Sequence, residues 1–570
     1  MKADRRFRFP GWLALSGPLS VFFLIALAGG LFAQPQRDPV CGAPRLHPRQ
    51  LRLLRDFGAA GWIRAEKENR GTILRDTLGQ MVNFWAFDFN YSSDDPAGYY
   101  QTQATCQDVY SLGNGYNLNL YVENSQLSNP DISPVVIAGI RNEFINTILP
   151  AETTFFGTSP TGDFTVLILD IPDSGGSSFI SGYFDSTNEF GTTPSNHSNQ
   201  RHMLFMDSSP GIPGSNAFYR TLAHEYQHFI HYFKDQDEDT WVNEGLSGLA
   251  GFVCGYGHQN SHVTSFANSP DTSLVIWGGD LAGYGATYLF MLYLAEHYGG
   301  SVTTQNIVAN TTNGITGINS GLVQSGYSTT VNDIFKNWVV ANYLNDPSVG
   351  GGIYAYTDSF SGIFSAPGNF QDTHSHTTYP ASGSGAVNPY AVNYIKFSNL
   401  GGSYDIFILV PYSLSPSDTQ FYTYDGRLGS FLLSLTGINS PMGASGIQRG
   451  SLNPTPQVLT TLSGENTINT GGEGGGGGGD GGGGCFIAAV AYGSELAPEV
   501  STLRAFRNQY LLTNRPGRAF VSLYYALSPP LAQFISRHKG LQTMARIGLY
   551  PLVALAKGLM KTSYGTDIAF

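Results

Sequence analysis

The sequence predicts an α+β fold built from successive units, and three features of its texture support this. Between Asn83 and Asp207, short aromatic and β-branched runs are divided by Gly, Asn, Ser and Pro, the pattern of strands joined by turns. Between Asn216 and Tyr343, apolar residues recur at helical spacing behind capping residues. Beyond Gly350-Gly-Gly352 the strand texture returns as far as Leu462, and a glycine run then sets off a basic, Leu- and Tyr-rich tail. These shifts divide the 570 residues into 1–33, 34–82, a main body at 83–346, a β-sandwich module at 353–462, a linker at 463–484 and a helical tail at 485–570.

Taken in order, residues 1–33 read as a signal peptide. Met1-Lys-Ala-Asp-Arg-Arg-Phe-Arg8 is basic, Trp12 to Phe32 is apolar, and Leu31-Phe-Ala33 offers a small-residue cleavage site, so a secreted or cell-surface protein is expected. Residues 34–82 hold nine basic residues and a helical pattern around Pro48 to Asp56. A basic segment ahead of an acidic body suits a pro-region that shields a cleft, with a plain N-terminal extension as the alternative.

In the body, Tyr116 to Val122 alternates, while Thr165 to Ile171 and Ser178 to Phe184 read as further strands, with a helix between Ile137 and Leu149. His202 to Asp207 is expected to be the sheet-edge strand that receives an extended peptide. From Asn83 to Gly484 there are 8 basic and 33 acidic residues, a balance of −25, whereas Cys485 to Phe570 has 9 and 3, a balance of +6. The acidic body would be repelled by nucleic acid, so no nucleic-acid partner is expected. Cys41, Cys106, Cys254 and Cys485 show no metal-ligand spacing; Cys41 and Cys106 are candidates to pair after export, and Cys254 reads as a small buried hydrophobe.

The chemistry concentrates in His224-Glu225-Tyr-Gln-His228. Positions four apart share a helical face, so both imidazoles reach one ion while Glu225 sits beside it, the zinc hydrolase arrangement. Ser215-Asn216 supplies an N-cap, and Phe218, Leu222, Phe229, Ile230 and Phe233 give the helix a buried side. His231 lies about 10 Å of helix rise from His224 and reads as packing. A tetrahedral catalytic zinc takes three protein ligands and leaves one position for water. The third candidate is Glu244, expected in the first turn of a helix opening after Asp239-Thr240. A mid-helix Gly costs about 1 kcal/mol relative to Ala, so Gly245, Gly248 and Gly251 are expected to let that helix approach the motif helix closely.

His-Glu-x-x-His followed by Asn243-Glu-Gly245 resembles the gluzincin metallopeptidases. Ala223 to Ile230 with Trp241 to Ser247 is most similar to the hyicolysin family of neutral zinc metallopeptidases, a likeness placed over roughly Asn83 to Asp346. The resemblance implies a zincin-like domain at 83–346 that cleaves protein or peptide substrates, with Zn2+ on His224, His228 and Glu244 and with Glu225 as general base. The helix from Leu281 to Gly299 resembles one that supplies a tyrosine to the transition state in gluzincin aminopeptidases, which makes Tyr284 the first and Tyr288 the second candidate for stabilising the oxyanion. The Gly-x-Met-Glu-Asn stretch of those aminopeptidases is absent ahead of His224, so an endopeptidase is expected. No acidic residue of the thermolysin type follows Glu244, which leaves the outer partner of a ligand histidine unassigned. The rival reading is a surface adhesion or binding protein whose β modules work around an inert core.

Asp235-Gln-Asp-Glu-Asp239 invites Ca2+ as a structural ion. Thr240 stands where a calcium loop needs Gly and Leu246 where it needs Glu, so a solvated interhelical loop is expected. Gly471 to Gly484 contains 12 Gly, a tether reaching about 20 Å. Cys485-Phe-Ile-Ala with Ala491-Tyr-Gly-Ser494 resembles the CFI-box domain found after such linkers on exported bacterial proteins, which implies contact with a membrane surface or sorting machinery. Cys485 is a candidate processing or attachment point.

Overall fold

The computed structural model describes residues 37–69, 75–357 and 370–469, the latter two with breaks of a few residues, together with 539–563 and isolated positions between 503 and 535. The expected signal peptide, the glycine run at 471–484 and the Cys485 to Ser494 motif lie outside the described residues. In chain order the first elements are β1 (Asp38–Cys41), α1 (Ala43–Asn69), β2 (Met81–Phe87), β3 (Tyr99–Gly113), β4 (Tyr116–Glu123), α2 (Pro134–Glu143), α3 (Leu149–Phe155), β5 (Phe164–Leu169), β6 (Ser178–Tyr183), β7 (His202–Asp207) and α4 (Asn216–Tyr232). The chain divides into two units, Met1–Asn146 with Thr161–Glu225 and Thr147–Pro160 with Tyr226–Phe570, so the boundary falls inside α4.

The first unit is built on a seven-stranded sheet of order β1-β6-β7-β5-β4-β3-β2. β4, β5 and β7 run parallel, β2 to β4 form an antiparallel meander, and β6 pairs antiparallel with β7 through Gly182↔Met206 and Tyr183↔Phe205. β7 is therefore an interior strand, which corrects its expected place at the edge. The reason is visible in its residues: Met203 to Asp207 are all buried, as a strand covered on both faces requires. Instead, β1 closes this side of the sheet by pairing parallel with β6. The core gathers Phe84, Phe87, Phe89, Tyr121, Tyr183 and Phe205, with Leu46 of α1 joining it.

The helix expected between Ile137 and Leu149 starts earlier, at Pro134, because Ser133 Oγ accepts from Val136 N and Pro134 needs no amide partner there. It continues through a π turn at Phe144–Ile148 into α3. Cys41 and Cys106 do not pair. Both are buried outside any disulfide, and the Cys106 thiol donates to Asp108 O at 3.4 Å.

The second unit contains α5 (Thr240–Val253), α6 (Asn260–Asn268), α7 (Leu281–His297), α8 (Gly300–Val308), α9 (Gly314–Gln324) and α10 (Val331–Leu344). α7 is buried continuously from Ala282 to Ala295, and α5 packs on it. A Cβ on Gly245 would lie 2.8 Å from Thr287 O, and one on Gly248 would lie 3.3 Å from Tyr288 Cβ. Gly245 and Gly248 thus serve the approach of α5 to α7, where the sequence had suggested an approach to α4.

Beyond α10 come β8 (His374–His376), β9 (Ala381–Val387), β10 (Ile395–Ser398), β11 (Ile406–Ser413), β12 (Gln420–Arg427), β13 (Ser430–Thr436), β14 (Met442–Arg449), β15 (Gln457–Leu462) and β16 (Asn466–Asn469). They form a five-stranded sheet, β15-β14-β11-β10-β8, and a four-stranded sheet, β16-β13-β12-β9. Val387 and Tyr422 from one sheet share a core with Phe397, Phe407 and Ala444 from the other. β16 pairs with β13 inside the stretch expected to be linker. A last helix, α11 (Lys539–Ser563), exposes Met544, Ile547 and Tyr550, and among the described residues no helix is long and apolar enough to cross a membrane.

Candidate metal centre

α4 begins where the sequence places it, with Ser215 Oγ accepting from Phe218 N at 3.2 Å. His224 and His228 sit one turn apart on one face of this helix, His224 half-buried and His228 buried. Glu225 is fully buried, and its Oε2 accepts a hydrogen bond from Phe184 N, just past β6, at 3.0 Å. β6 passes close above it only because residue 182 is glycine: a Cβ there would lie 2.8 Å from Thr221 Cγ2 and 3.2 Å from Glu225 Cγ.

Glu244 lies one turn inside α5, not in its first turn, and is buried. Its Oε1 stands 3.1 Å from His228 Nε2. The other ring nitrogen, Nδ1, lies 2.9 Å from Asn243 Oδ1 and 3.0 Å from Ser247 Oγ. The Ser247 hydroxyl gives its proton to Gln227 Oε1, so both neighbours of Nδ1 act as acceptors. Nδ1 therefore carries the hydrogen, and in the neutral ring Nε2 presents a lone pair. With the ring neutral, a lone pair and a carboxylate oxygen 3.1 Å apart call for a cation between them, and two donors on one tetrahedral zinc lie about 3.3 Å apart. The residues present fit such an ion.

The donor atoms of Cys41, His224, His228 and Glu244 all lie within 4.8 Å of one another. The structure thus brings together the three predicted ligands and adds Cys41, which its sequence position had linked only to a disulfide. Asn243 and Ser247 were also missed as orienting partners, although Asn243 stands in the Asn-Glu-Gly stretch itself.

No family model matches the chain. It is similar to the neutral metalloprotease ShpI of Staphylococcus hyicus, 27% identical over 208 residues, which cover 32% of this chain and 46% of that protein. The chain is a distant homologue of a metalloprotease. The match spans about half of that relative's length. A metalloprotease requires a metal, usually zinc, and the His and Glu groups above are suited to hold one.

Of the two tyrosines proposed for the oxyanion, both on α7 and both buried, Tyr284 packs against His262 and Trp277 at ring distances of 4.9 and 4.8 Å. The Tyr288 hydroxyl lies 2.6 Å from His258 Nδ1. The acidic stretch after α4 is only in part the solvated loop expected: Asp237 and Asp239 are exposed, whereas Asp235 and Glu238 are buried and group with buried His231, their ligand atoms within 4.8 Å. Burial pushes Glu238 up to about 8 and Asp235 up to about 6, and burial followed by the nearby His228 pushes His231 down to about 3.

Proposed function

We propose that the protein is an exported zinc-dependent endopeptidase acting on protein or peptide substrates. One observation carries the reading: His228 Nε2 and Glu244 Oε1 converge at 3.1 Å within a group that includes His224. His224, His228 and Glu244 would hold the ion, which when bound supplies Lewis acidity toward water and the scissile carbonyl. Asn243 and Ser247 hold the His228 ring in the tautomer that leaves Nε2 available. Glu225, oriented by Phe184 N, takes the proton of the attacking water and passes it to the leaving amine nitrogen. The hydroxyl of Tyr284, or of Tyr288, donates to the developing oxyanion.

The test is Glu225→Gln in protein lacking residues 1–33, parent and variant being compared after the same limited proteolysis of the N-terminal segment. The variant retains zinc at the parental stoichiometry, while casein cleavage falls by about 10²- to 10⁴-fold. Cleavage at the parental rate would sink the base assignment. Metal-free protein that adheres to a cell surface and cleaves nothing would instead favour the adhesion reading.

A further inference from the structure

We propose that the chain's own N-terminal strand occupies the peptide-binding edge of the sheet and that Cys41 closes the metal centre, holding the peptidase latent until that segment is withdrawn. This rests on the peptidase reading above. The edge in question belongs to β6, the strand that runs beside β7 and passes over Glu225. Its outer side is taken by β1 in the register Asp38↔Ser178, Pro39↔Phe179, Val40↔Ile180 and Cys41↔Gly182. Asp38 N donates to Ser177 O at 2.8 Å and Gly42 N to Gly182 O at 2.9 Å. An extended peptide adding to a sheet edge makes this kind of main-chain ladder, so β1 sits where a substrate would.

The strand leads into the chemistry. Cys41 Sγ lies 3.5 Å from Glu225 Oε2 and is the fourth member of the donor group. A tetrahedral zinc held by two imidazoles, a carboxylate and a thiolate has no position left for water, the arrangement of a closed rather than a catalytic site. The thiol loses its proton to Glu225 or to solvent as the sulfur binds. The position of Cys41 is fixed on both sides. Arg37 Nη2 donates to Asp173 Oδ1 at 2.5 Å and to Ser178 O at 2.7 Å, and its guanidinium lies 5.6 Å from the Phe179 ring centre. On the other side a Cβ at Gly42 would lie 2.5 Å from Phe89 Cζ, and Leu46 of α1 is fully buried.

The experiment uses the chain lacking residues 1–33 and its Cys41→Ser variant, each loaded with cobalt(II) in place of zinc and each assayed on casein as the zinc form. The intact parent shows a near-ultraviolet thiolate-to-cobalt charge-transfer band; the variant binds the same amount of cobalt without it. The variant cleaves casein at least tenfold faster than the intact parent, whose activity rises only as its N-terminal segment is trimmed. Cys41→Ala gives the same pair of results if serine oxygen itself ligates. A cobalt-loaded parent without the band, or an intact parent as fast as the variant, overturns the latch and leaves the peptidase reading standing. Failure of both proteins to bind metal overturns the peptidase reading itself.

A different cluster carries a second proposal: we infer that His231, Asp235 and Glu238 hold a second divalent transition-metal ion at the segment joining α4 to α5. Both ring nitrogens of His231, Asp235 Oδ2 and Glu238 Oε2 are buried without a hydrogen-bond partner. The other carboxylate oxygens are held by backbone amides: Glu238 Oε1 accepts from Asp239 N at 2.6 Å and Gly314 N at 2.7 Å, and Asp235 Oδ1 from Asp237 N at 3.4 Å. Each carboxyl is thus oriented with one oxygen left over, which in a dry interior must take up either a proton or a cation. One nitrogen and two oxygen donors suit Zn2+ or Mn2+, whereas Ca2+ takes six or more oxygens. After zinc loading and gel filtration, the parent carries two zinc ions per chain, while His231→Ala, Glu238→Gln and His224→Ala each carry one. One zinc in the parent and none in His224→Ala overturns the site, and retention of calcium in place of the second zinc overturns the choice of ion.

Discussion

Asn243 Oδ1 lies 2.9 Å from His228 Nδ1, so the residue that precedes Glu244 in sequence orients the imidazole that Glu244 faces. One short run of α5 would thereby supply both a donor to the proposed ion and the constraint on another donor. Asn243→Ala is expected to weaken zinc binding about 10- to 100-fold, measured by competition with a chromophoric chelator. Asn243→Asp, which keeps an acceptor at that place, retains most of the affinity.

Metal removal is expected to abolish casein cleavage. Phenanthroline treatment gives an inactive protein, and stoichiometric zinc restores it, because Glu225 alone has no means of activating the carbonyl. Turnover that persists in protein shown to be zinc-free would contradict the mechanism.

The tyrosines of α7 separate by kinetics. Loss of one oxyanion donor lowers kcat by about 10²- to 10³-fold with little change in KM. Tyr284→Phe is expected to show that pattern. If it keeps parental kcat and Tyr288→Phe shows the loss, the hydroxyl that meets His258 Nδ1 holds the role.

Helix packing gives a stability prediction independent of activity. A Cβ on Gly245 would stand 2.8 Å from both Thr287 O and Met291 Cγ, whereas on Gly248 the nearest atom would be Tyr288 Cβ at 3.3 Å. Gly245→Ala is expected to cost about 1–3 kcal/mol by overpacking, and Gly248→Ala less. Thermal unfolding that ranks the two variants in the opposite order would refute this account of the glycine stripe.

Asp207 makes stability depend on pH. Burial raises its carboxyl to about 7, although Ile171 N and Gly211 N donate to it at 3.0 and 2.8 Å. Its folded value thus lies above the unfolded one, near 3.9. The contribution is therefore complete below about pH 4 and is lost as pH rises toward 7. The difference in Tm between the parent and Asp207→Asn should shift against the parent across that interval and level off above it.

Much of the site was legible in residue order. His224, Glu225 and His228 occupy one helix, and four-residue spacing on a helix has only one geometric meaning. Glu244 was legible through its neighbours, yet its place one turn inside α5 was not. Strands such as β4, β5 and β7 were readable as segments, because alternation and apolar runs are local properties.

Neighbour relations were not readable in this way. The sequence identified β7 as a strand but could not show that β6 and β1 lie beyond it, since sheet order depends on pairings between residues far apart in the chain. The same holds for Cys41, about 180 residues before the motif yet part of its donor group. It also holds for the glycines of α5, whose partner α7 lies some forty residues on. Local composition and helical period determined which histidines and carboxylates share one stretch of helix. Only the tertiary structure decided which side chains surround it, because burial and long-range pairing are settled by the folded whole and not by any window of residues.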